Sequence, residues 1–328
     1  MEYQFRLKEP INNYTFLITG GAGFIGSNIA DFLLKNNAKK VVILDNLSTG
    51  FEDNIDEFKK HENFIFIKGD ITNYEDCLKA TNGVDYVFHQ AALGSVPRSI
   101  NDPIATNSVN VGGFVNMLFA SHKNNVKRFI YASSSSVYGD DKTMPKQENI
   151  TGNLLSPYAV SKKANELYAD VFYRTYGLEV IGLRYFNVFG PKQNIAGAYA
   201  AVIPIFITSL LKNESPNIFG DGTTTRDFTF IENVIQANVI SALTINKDAI
   251  NQVFNIAYGG TTSLNDLYKY ISEELNSDLK PNYQPERKGD IKDSFANIDK
   301  AKNLLNFSPT INIIQGLTTT VEWYKNNC

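Results

Sequence analysis

A tyrosine and a lysine stand four residues apart in the segment 156–162, which reads Ser-Pro-Tyr-Ala-Val-Ser-Lys. A phenol is a weak base at neutral pH, and a cation one helical turn away lowers its pKa by stabilising the phenolate. Ser156 suits a helix N-cap and Pro157 suits the first helical position. Tyr158 and Lys162 are therefore predicted to share one face near a positive helix end, where they are suited to proton transfer from a hydroxyl group. A solvated helix face with a partly buried ring shows the same spacing.

Serines 133–136 follow a predicted strand, Arg128–Ala132. Ligands of open α/β sheets bind beyond the carboxyl ends of the strands, so a hydroxyl at this position can share the substrate proton with Tyr158. Turn chemistry accounts for most of the other serines in the run.

A glycine-rich turn, Thr-Gly-Gly-Ala-Gly-Phe-Ile-Gly at residues 19–26, follows the first predicted strand and opens a helix. Glycines here let the backbone approach a pyrophosphate, which the helix N-terminus then binds. Asp45 ends the second strand, 19 residues after Gly26 (45 − 26), where an acid binds the adenosine ribose diol. The combination predicts a dinucleotide site with NAD favoured over NADP. Asp70 and Ile71 are weaker candidates for the adenine edge.

Short apolar runs alternate with helical patterns along the chain, which predicts an α/β fold with a Rossmann-type doubly wound parallel sheet. The predicted strands are Tyr14–Thr19, Val41–Leu44, Phe64–Lys68, Asp85–His89, Arg128–Ala132, Glu179–Arg184 and Val253–Ala257. Loops are expected at Asn187–Gly197, Asn213–Thr225 and Pro281–Asp290, and a buried helix within Ala198–Leu211. A smaller, interleaved C-terminal substrate-binding domain is predicted. The NAD-binding domain is assigned to 1–185 plus about 230–262, and the substrate-binding domain to about 186–229 and 263–328.

The composition excludes several classes of protein. A formal charge of −3 leaves no basic footprint for nucleic acid. Cys77 and Cys328 form no disulfide framework, and the three histidines show no metal-ligand spacing, so no metal site is predicted. The first ten residues have no signal-peptide pattern, and no apolar run is long enough for a membrane span. We therefore expect a cytoplasmic protein.

Several motifs occur together, in order and at matching distances. They are the glycine turn, the segment Ser134–Ser136, Tyr158-x-x-x-Lys162, and Arg-Tyr-Phe-Asn-Val-Phe-Gly-Pro at 184–191. Together they resemble the UDP-hexose 4-epimerase group of the extended short-chain dehydrogenase/reductases over essentially the whole chain. The segment 94–99, Gly-Ser-Val-Pro-Arg-Ser, is similar to the UDP-N-acetylglucosamine 4-epimerase branch of that group.

The resemblance implies roles for individual residues. Ser134, Tyr158 and Lys162 resemble the catalytic residues. The implied NAD-binding residues are Gly20, Gly23, Phe24, Ile25, Gly26, Asp45, Asn46, Ser48, Thr49, Gly50, Asp70, Ile71, Gln90, Ala91, Ala92, Tyr158, Lys162, Tyr185 and Val188. The implied substrate-binding residues are Ser95, Ser134, Ser136, Tyr158, Asn187, Val202, Ile218, Phe219, Arg226, Arg287, Asp290 and Ser294. Among these, Arg226 and Arg287 match two pyrophosphate-binding arginines, and Ile218 and Phe219 match the positions that pack the uracil.

The activity implied by the resemblance is interconversion of UDP-GlcNAc and UDP-GalNAc through a transient 4-keto sugar, which supplies precursors of surface polysaccharides. Ser294 matches a position beside the sugar C2, where a small side chain leaves room for an N-acetyl group, although Asn297 departs from the Asp commonly found nearby. The corresponding uronic acid, UDP-N-acetylglucosaminuronic acid, is the main alternative substrate.

Related dehydratases and decarboxylases carry carboxylates where this chain has Ser135 and Ser136, which makes those activities remote. A non-catalytic NAD-binding regulator is also remote, because Tyr158 and Lys162 are both present.

A homodimer is also implied, because relatives pair through the helices that correspond to 107–124 and 157–176. The first of these helices has more apolar surface than one buried helix face requires. The residues that supply it are Val109, Phe114, Val115, Leu118 and Phe119.

Overall fold

The computed structural model describes residues 3–7, 9–194, 201–286 and 293–328. Its strands are β1 Thr15–Thr19, β2 Lys40–Asp45, β3 Phe64–Lys68, β4 Tyr86–His89, β5 Arg128–Ser134, β6 Glu179–Tyr185, β7 Val188–Phe189, β8 Asn217–Phe219, β9 Thr225–Arg226, β10 Thr229–Phe230, β11 Gln252–Ile256, β12 Thr262–Ser263, β13 Asn282–Gln284 and β14 Asp293–Ser294. Its α-helices are α1 Phe24–Lys35, α2 Tyr74–Thr81, α3 Val96–Asn101, α4 Pro103–Asn107, α5 Phe114–Lys123, α6 Pro157–Tyr176, α7 Val202–Leu211, α8 Ile231–Leu243, α9 Leu264–Leu275, α10 Asp299–Leu305 and α11 Ile313–Asn327.

Seven strands form the central sheet, in the order β3-β2-β1-β4-β5-β6-β11. Every pair in it is parallel, including β11 beside β6, where Phe254 lies opposite Leu183. The chain moves outward from β1 to β3 and then crosses back to β4, so the strand order reverses between β1 and β4. Ligands of doubly wound sheets bind at such a reversal. The prediction of a doubly wound parallel sheet is confirmed.

The two faces of the sheet bury separate sets of side chains because successive residues of a strand point to opposite faces. On β1, Phe16 and Ile18 enter one core, which includes residues of α1, α8 and α11. Leu17 enters the other core, together with residues of α2, α5 and α6. The first core is continuous from the glycine turn to the C-terminal helix. The two predicted domains therefore share one interior.

The helix predicted at 107–124 is more complex than its pattern indicated. α4 leads into a π-helical turn, Ser108–Gly113, before α5 begins at Phe114. The expectation of spare apolar surface on this helix was wrong, because Phe114 and Leu118 are fully buried. Val109, Val115 and Phe119 also pack against the same core.

The C-terminal half holds short strands where the sequence predicted loops. β7, β8 and β13 lie within the three expected loop segments, and each has only two or three residues. Strands this short have no usable hydrophobic periodicity. The buried helix expected within 198–211 is confirmed as α7, whose Ile203, Phe206 and Ile207 are buried. In the described ranges, no helix is long and apolar enough to cross a membrane.

Candidate active site

The glycine turn between β1 and α1 brings bare backbone to the edge of a cleft. Gly20 has a φ of +67°, and a Cβ there would lie 2.7 Å from the amide nitrogen of Ala91. A Cβ on Gly26 would lie 2.3 Å from the carbonyl oxygen of Gly20. Both contacts are too close for any side chain. α1 has no side-chain cap at its N-terminus, so its first N–H groups remain available to an anionic ligand.

Asp45 lies at the carboxyl end of β2, beside this turn. Its Oδ2 accepts a hydrogen bond from the N–H of Ala22 at 2.9 Å, and its Oδ1 accepts one from the N–H of Leu47 at 2.8 Å. Burial raises the pKa of the carboxyl group, and these two backbone donors oppose that shift. They also fix the orientation of the carboxylate at the mouth of the cleft.

The cleft lies over the reversal between β1 and β4, and most of the predicted NAD-binding residues line it. These are Gly20, Gly23, Phe24, Ile25, Gly26, Asp45, Asn46, Ser48, Thr49, Gly50, Asp70, Ile71, Gln90, Ala91 and Ala92. Further lining residues were not predicted: Leu44, Gly69, Leu93, Gly94, Arg98, Val109 and Asn194. Arg98 is the one cationic side chain among the described lining residues. It lies in the segment 94–99 that the sequence singled out, of which only Ser95 was assigned.

Four predicted cofactor residues lie outside the lining of this cleft: Tyr158, Lys162, Tyr185 and Val188. Tyr185 is buried, and its hydroxyl group accepts hydrogen bonds from the amide groups of Gln90 at 3.2 Å and Asn238 at 2.9 Å. Gln90 itself lines the cleft, so Tyr185 fixes a lining side chain rather than forming the wall. Val188 is partly buried and packs against the core.

Tyr158, Ser134 and Lys162 are brought together where β5 ends beside the start of α6. Ser156 caps α6 by accepting a hydrogen bond from the N–H of Ala159 at 3.1 Å, which confirms the predicted helix start. The Lys162 ammonium lies 5.9 Å from the centre of the Tyr158 ring and donates to the carbonyl oxygen of Ala132 at 2.8 Å. The two side chains are therefore close neighbours at the end of β5.

Burial sets the protonation of this group. It raises the pKa of Tyr158, and a hydrogen bond with the Ser134 side chain opposes the rise. It lowers the pKa of Lys162 to about 8, because the ammonium is almost completely removed from water. The Ser134 hydroxyl also accepts from the N–H of Ser136 at 3.1 Å, while the buried hydroxyl of Ser136 has no hydrogen-bond partner in the described structure.

A buried ion pair supports the end of β5 from behind. Glu166 on α6 accepts from the Arg184 guanidinium at 2.8 and 2.9 Å and from the Ser133 hydroxyl at 2.7 Å. This guanidinium helps to lower the pKa of Glu166 despite its burial. The carboxylate nearest the serine run is therefore fully engaged in holding β5, β6 and α6 together.

The predicted substrate residues of the C-terminal half meet at β9. In the parallel pairing of β9 and β14, Ser294 lies opposite Arg226, although 68 residues separate them in sequence (294 − 226). The Asn187 side chain donates to the carbonyl oxygen of Asp227 at 3.1 Å, next to Arg226. Three of the predicted substrate residues thus lie on adjoining segments.

The other predicted substrate residues lie elsewhere in the chain. Ser95 caps α3 with a φ of +104°, and Val202 is the first residue of α7. On β8, Ile218 is buried in the core and Phe219 is partly exposed. Arg287 and Asp290 lie outside the described residues.

Comparison with known proteins identifies the family. A profile described as the NAD dependent epimerase/dehydratase family matches residues 16–257. A putative UDP-glucose 4-epimerase of Methanocaldococcus jannaschii is 40% identical over 314 residues, which span 95% of this chain and 98% of the relative.

Solved structures agree with this match. A UDP-N-acetylglucosamine 4-epimerase from Methanobrevibacter ruminantium, in complex with UDP-N-acetylmuramic acid, superposes with a TM-score of 0.91 at 41% identity and covers 96% of this chain and 99% of its own. A UDP-glucuronic acid 4-epimerase from Bacillus cereus, in complex with UDP-glucuronic acid and NAD, has a TM-score of 0.86 at 33% identity over 95% and 99% of the two chains.

The chain therefore belongs to the NAD-dependent epimerase/dehydratase family, and the predicted resemblance to extended short-chain dehydrogenases is confirmed. Its cofactor is NAD, as predicted. The cleft suits this cofactor because the backbone at Gly20 and Gly26 is too close-packed for side chains and Asp45 lies at the end of β2. No group of three or more His, Cys, Asp or Glu side chains able to hold a metal ion occurs in the part of the chain that the structure describes.

Proposed function

We propose that the chain is a cytoplasmic UDP-sugar 4-epimerase that interconverts UDP-GlcNAc and UDP-GalNAc with NAD bound. The observation that carries the proposal is the convergence of Ser134, Tyr158 and Lys162 at the end of β5. This strand pairs with β4, and the residues that directly follow β4, Gln90 and Ala91, line the cleft of the glycine turn. This site unites a proton acceptor with a dinucleotide site. A 4-epimerase needs both, because it removes and restores hydrogen at one carbon.

Ser134 on β5 and Tyr158 and Lys162 on α6 each have a role in this reaction. Tyr158 accepts the proton of the C4 hydroxyl group, and Ser134 shares that proton through its hydrogen bond to the phenol. The Lys162 cation favours the phenolate, which is the form of Tyr158 that accepts this proton. NAD, when bound, would supply the acceptor for the C4 hydride and the donor that returns this hydride to the opposite face of the 4-keto sugar. Tyr158 then donates its proton to the C4 oxygen, which restores the hydroxyl group.

The keto sugar must rotate within the site between the two hydride transfers, so only the nucleotide can be firmly bound. Arg226 supplies a planar fork of donors suited to diphosphate oxygens. It lies on β9, opposite Ser294 on β14 and next to the segment that the Asn187 side chain contacts. This arrangement favours a diphosphate anchor on the C-terminal segments, with the reacting sugar directed towards β5.

Two features favour an N-acetylated epimerase substrate over the alternatives. The side chains that follow Ser134 are Ser135 and Ser136, so these positions offer no acid for elimination at C5 and C6. Glu166, which contacts the neighbouring Ser133, is neutralised by Arg184. Ser294 is small and partly buried, which leaves space beside the C2 substituent of a sugar held near Arg226. The similar UDP-N-acetylglucosamine 4-epimerase supports this choice of substrate.

The proposal is tested by assaying the purified protein on UDP-GlcNAc, on UDP-N-acetylglucosaminuronic acid (UDP-GlcNAcA) and on UDP-glucose side by side, without added NAD. The expected result is the highest kcat/KM on UDP-GlcNAc, with UDP-GalNAc as product. A preference for UDP-GlcNAcA would identify the uronic acid epimerase instead. Absence of turnover on all three sugars by protein shown to contain NAD would exclude the proposal.

We also propose that two copies pair through the exposed face of α6. On this helix Val160, Leu167 and Val171 are 52%, 60% and 44% exposed, and Ile100 and Ile104 add apolar surface from α3 and the neighbouring α4. Light scattering at micromolar concentration should give the mass of a dimer. Leu167→Glu should shift the mass towards the monomer, whereas Ile245→Glu, at an isolated exposed site, should not. A monomeric native protein would contradict the pairing.

A further inference from the structure

Asp227 directly follows Arg226 and is completely buried. Its Oδ1 accepts a hydrogen bond from the N–H of Tyr258 at 3.1 Å. Its Oδ2 accepts from the N–H of Gly259 at 3.1 Å and from the N–H of Ala296 at 3.3 Å. One carboxylate therefore binds the backbone of two segments that are distant from it in sequence.

The backbone of Asp227 makes two further links. Its N–H donates to the carbonyl oxygen of Ser294 at 2.9 Å, and its carbonyl oxygen accepts from the Asn187 side chain at 3.1 Å. Asp227 thus joins the turn after β11, the end of β14 and the segment after β6. The predicted substrate residues Asn187, Arg226 and Ser294 are all bonded to it or adjacent to it.

Burying a carboxylate is costly, and the site shows that cost. Loss of hydration raises the pKa of Asp227 to about 7, although the surrounding backbone N–H groups favour the charged form. An apolar side chain of similar size avoids this cost but cannot accept three backbone hydrogen bonds. The carboxylate is therefore better explained by the geometry that it enforces than by its contribution to stability.

We propose that Asp227 is a positioning residue for the sugar nucleotide, which holds Arg226 and Ser294 in the register required to bind it. The proposal rests on the proposed contacts of Arg226 and Ser294 with the substrate. Asp227 touches no reacting atom. β9 and β14 have two residues each, so their own ladder supplies few hydrogen bonds. The carboxylate stabilises the pairing from its buried side and links it to the turn at Tyr258 and Gly259.

The test measures UDP binding by titration calorimetry, and KM and kcat on UDP-GlcNAc, for wild type and Asp227→Asn. Asn keeps one acceptor oxygen but turns an NH2 group towards the backbone donors. We expect UDP affinity to fall about tenfold or more and KM to rise similarly, with kcat at saturating substrate and bound NAD within about threefold of wild type. The matched control is Asp293→Asn, because Asp293 joins the same two strands through an exposed hydrogen bond to Thr225 at 2.6 Å. It should bind UDP nearly normally.

Arg226→Ala, measured in parallel, separates the two proposals. If it weakens UDP binding and Asp227→Asn does not, the positioning role is wrong while the substrate site stands. If Arg226→Ala has no effect, the substrate site itself is wrong. A proportional loss of kcat, NAD content and UDP affinity in Asp227→Asn would show general damage and overturn the positioning role.

Hydrogen exchange on the wild-type protein is a further test, and it does not depend on a variant that could misfold. The amides of Tyr258, Gly259 and Ala296 should be protected before any UDP is added, because Asp227 already binds them. Rapid exchange at these amides in the free protein, with protection appearing only on UDP binding, would contradict a preformed clamp.

Discussion

The cofactor side and the proposed substrate side of the cleft are built in different ways. The cofactor side lies at the carboxyl ends of long parallel strands, and its glycine turn and Asp45 are close to one another in sequence. The proposed substrate side combines strands of two or three residues drawn from positions 188 to 294, with the buried carboxylate of Asp227 between them. One side is held by the main sheet and the other by single polar contacts.

This difference has a consequence for mutation. A conservative change on the cofactor side leaves the sheet intact and removes only the chemistry of one side chain. A change on the substrate side alters a register that few hydrogen bonds maintain. Substitutions on the cofactor side should therefore lower kcat, whereas substitutions on the substrate side should lower the affinity for the nucleotide.

The largest expected effect is on the cofactor side, at Tyr158. Tyr158→Phe removes the proton acceptor and should lower kcat by roughly 10²–10⁴-fold, the range for a positioned acid or base. NAD content should stay normal because the ring remains in place. Stopped assays of UDP-GlcNAc turnover measure the loss, and Tyr173→Phe, on the same helix, serves as control. Near-normal turnover by Tyr158→Phe would remove this residue from the mechanism.

The next effect is on the substrate side, at Arg226. Arg226→Ala should weaken UDP binding by roughly 1.5–3 kcal/mol, the scale for hydrogen bonds to charged groups. Calorimetric titration of UDP is sufficient, and Arg174→Ala removes an exposed arginine on α6 as the matched control. Affinity for NAD should not change. A loss of NAD without a loss of UDP would assign Arg226 to the other side of the cleft. Arg287→Ala is expected to behave like Arg226→Ala, by resemblance alone.

A smaller effect is expected at Ser294, which we propose selects the substrate. Ser294→Tyr fills space beside the sugar C2, and overpacking of this kind costs roughly 1–3 kcal/mol. The kcat/KM for UDP-GlcNAc should fall about tenfold, whereas that for UDP-glucose should hold or rise. Ser294→Ala is the control, because it keeps the space open. A parallel fall of kcat/KM for both sugars would mean that the substitution damages the structure around β14. Unchanged kcat/KM values would place Ser294 outside the pocket.

The smallest effect concerns the charge of Lys162. Its pKa is lowered to about 8, so between pH 8 and its ordinary pKa the folded protein binds fewer protons than the unfolded chain. Stability from this group therefore rises with pH in that window, and the cost of the buried ammonium is fully present below pH 8. NAD-free Lys162→Met should melt a few degrees above wild type at pH 7, with a difference that shrinks towards pH 10. Thermal unfolding at several pH values measures this. A constant difference would show that Lys162 does not titrate in this range.

Local signals were enough to predict one side of the cleft. The β1–α1 turn and the start of α6 each depend on residues within a few positions, and Asp45 was identified by its distance of 19 residues from Gly26 (45 − 26). The structure places all three as the sequence indicated. The long strands were predicted because they are buried on both faces and read as continuous apolar runs. The resemblance added residues such as Gln90 and Ala91, which carry no pattern of their own and do line the cleft.

The substrate side was only partly predictable. Asp227 directly follows the predicted substrate residue Arg226, but its partners at 258, 259 and 296 could not be predicted from the sequence, because hydrogen bonds to backbone groups do not depend on side-chain type. On the cofactor side Arg98 was also missed, because the only signal that α3 brings its side chain to the cleft was a single basic residue in an otherwise neutral segment.

The sequence by itself determined the sheet, the dinucleotide turn and the pair Tyr158 and Lys162. Continuous apolar runs specify the strands, and the spacing of residues within short segments specifies the turn and the pair. Only the tertiary structure decided which face of α6 stays exposed and that Phe114 and Leu118 are buried. It also decided that Ser294 lies opposite Arg226. These features depend on contacts between residues far apart in the chain, and such contacts form only when the whole core closes around them.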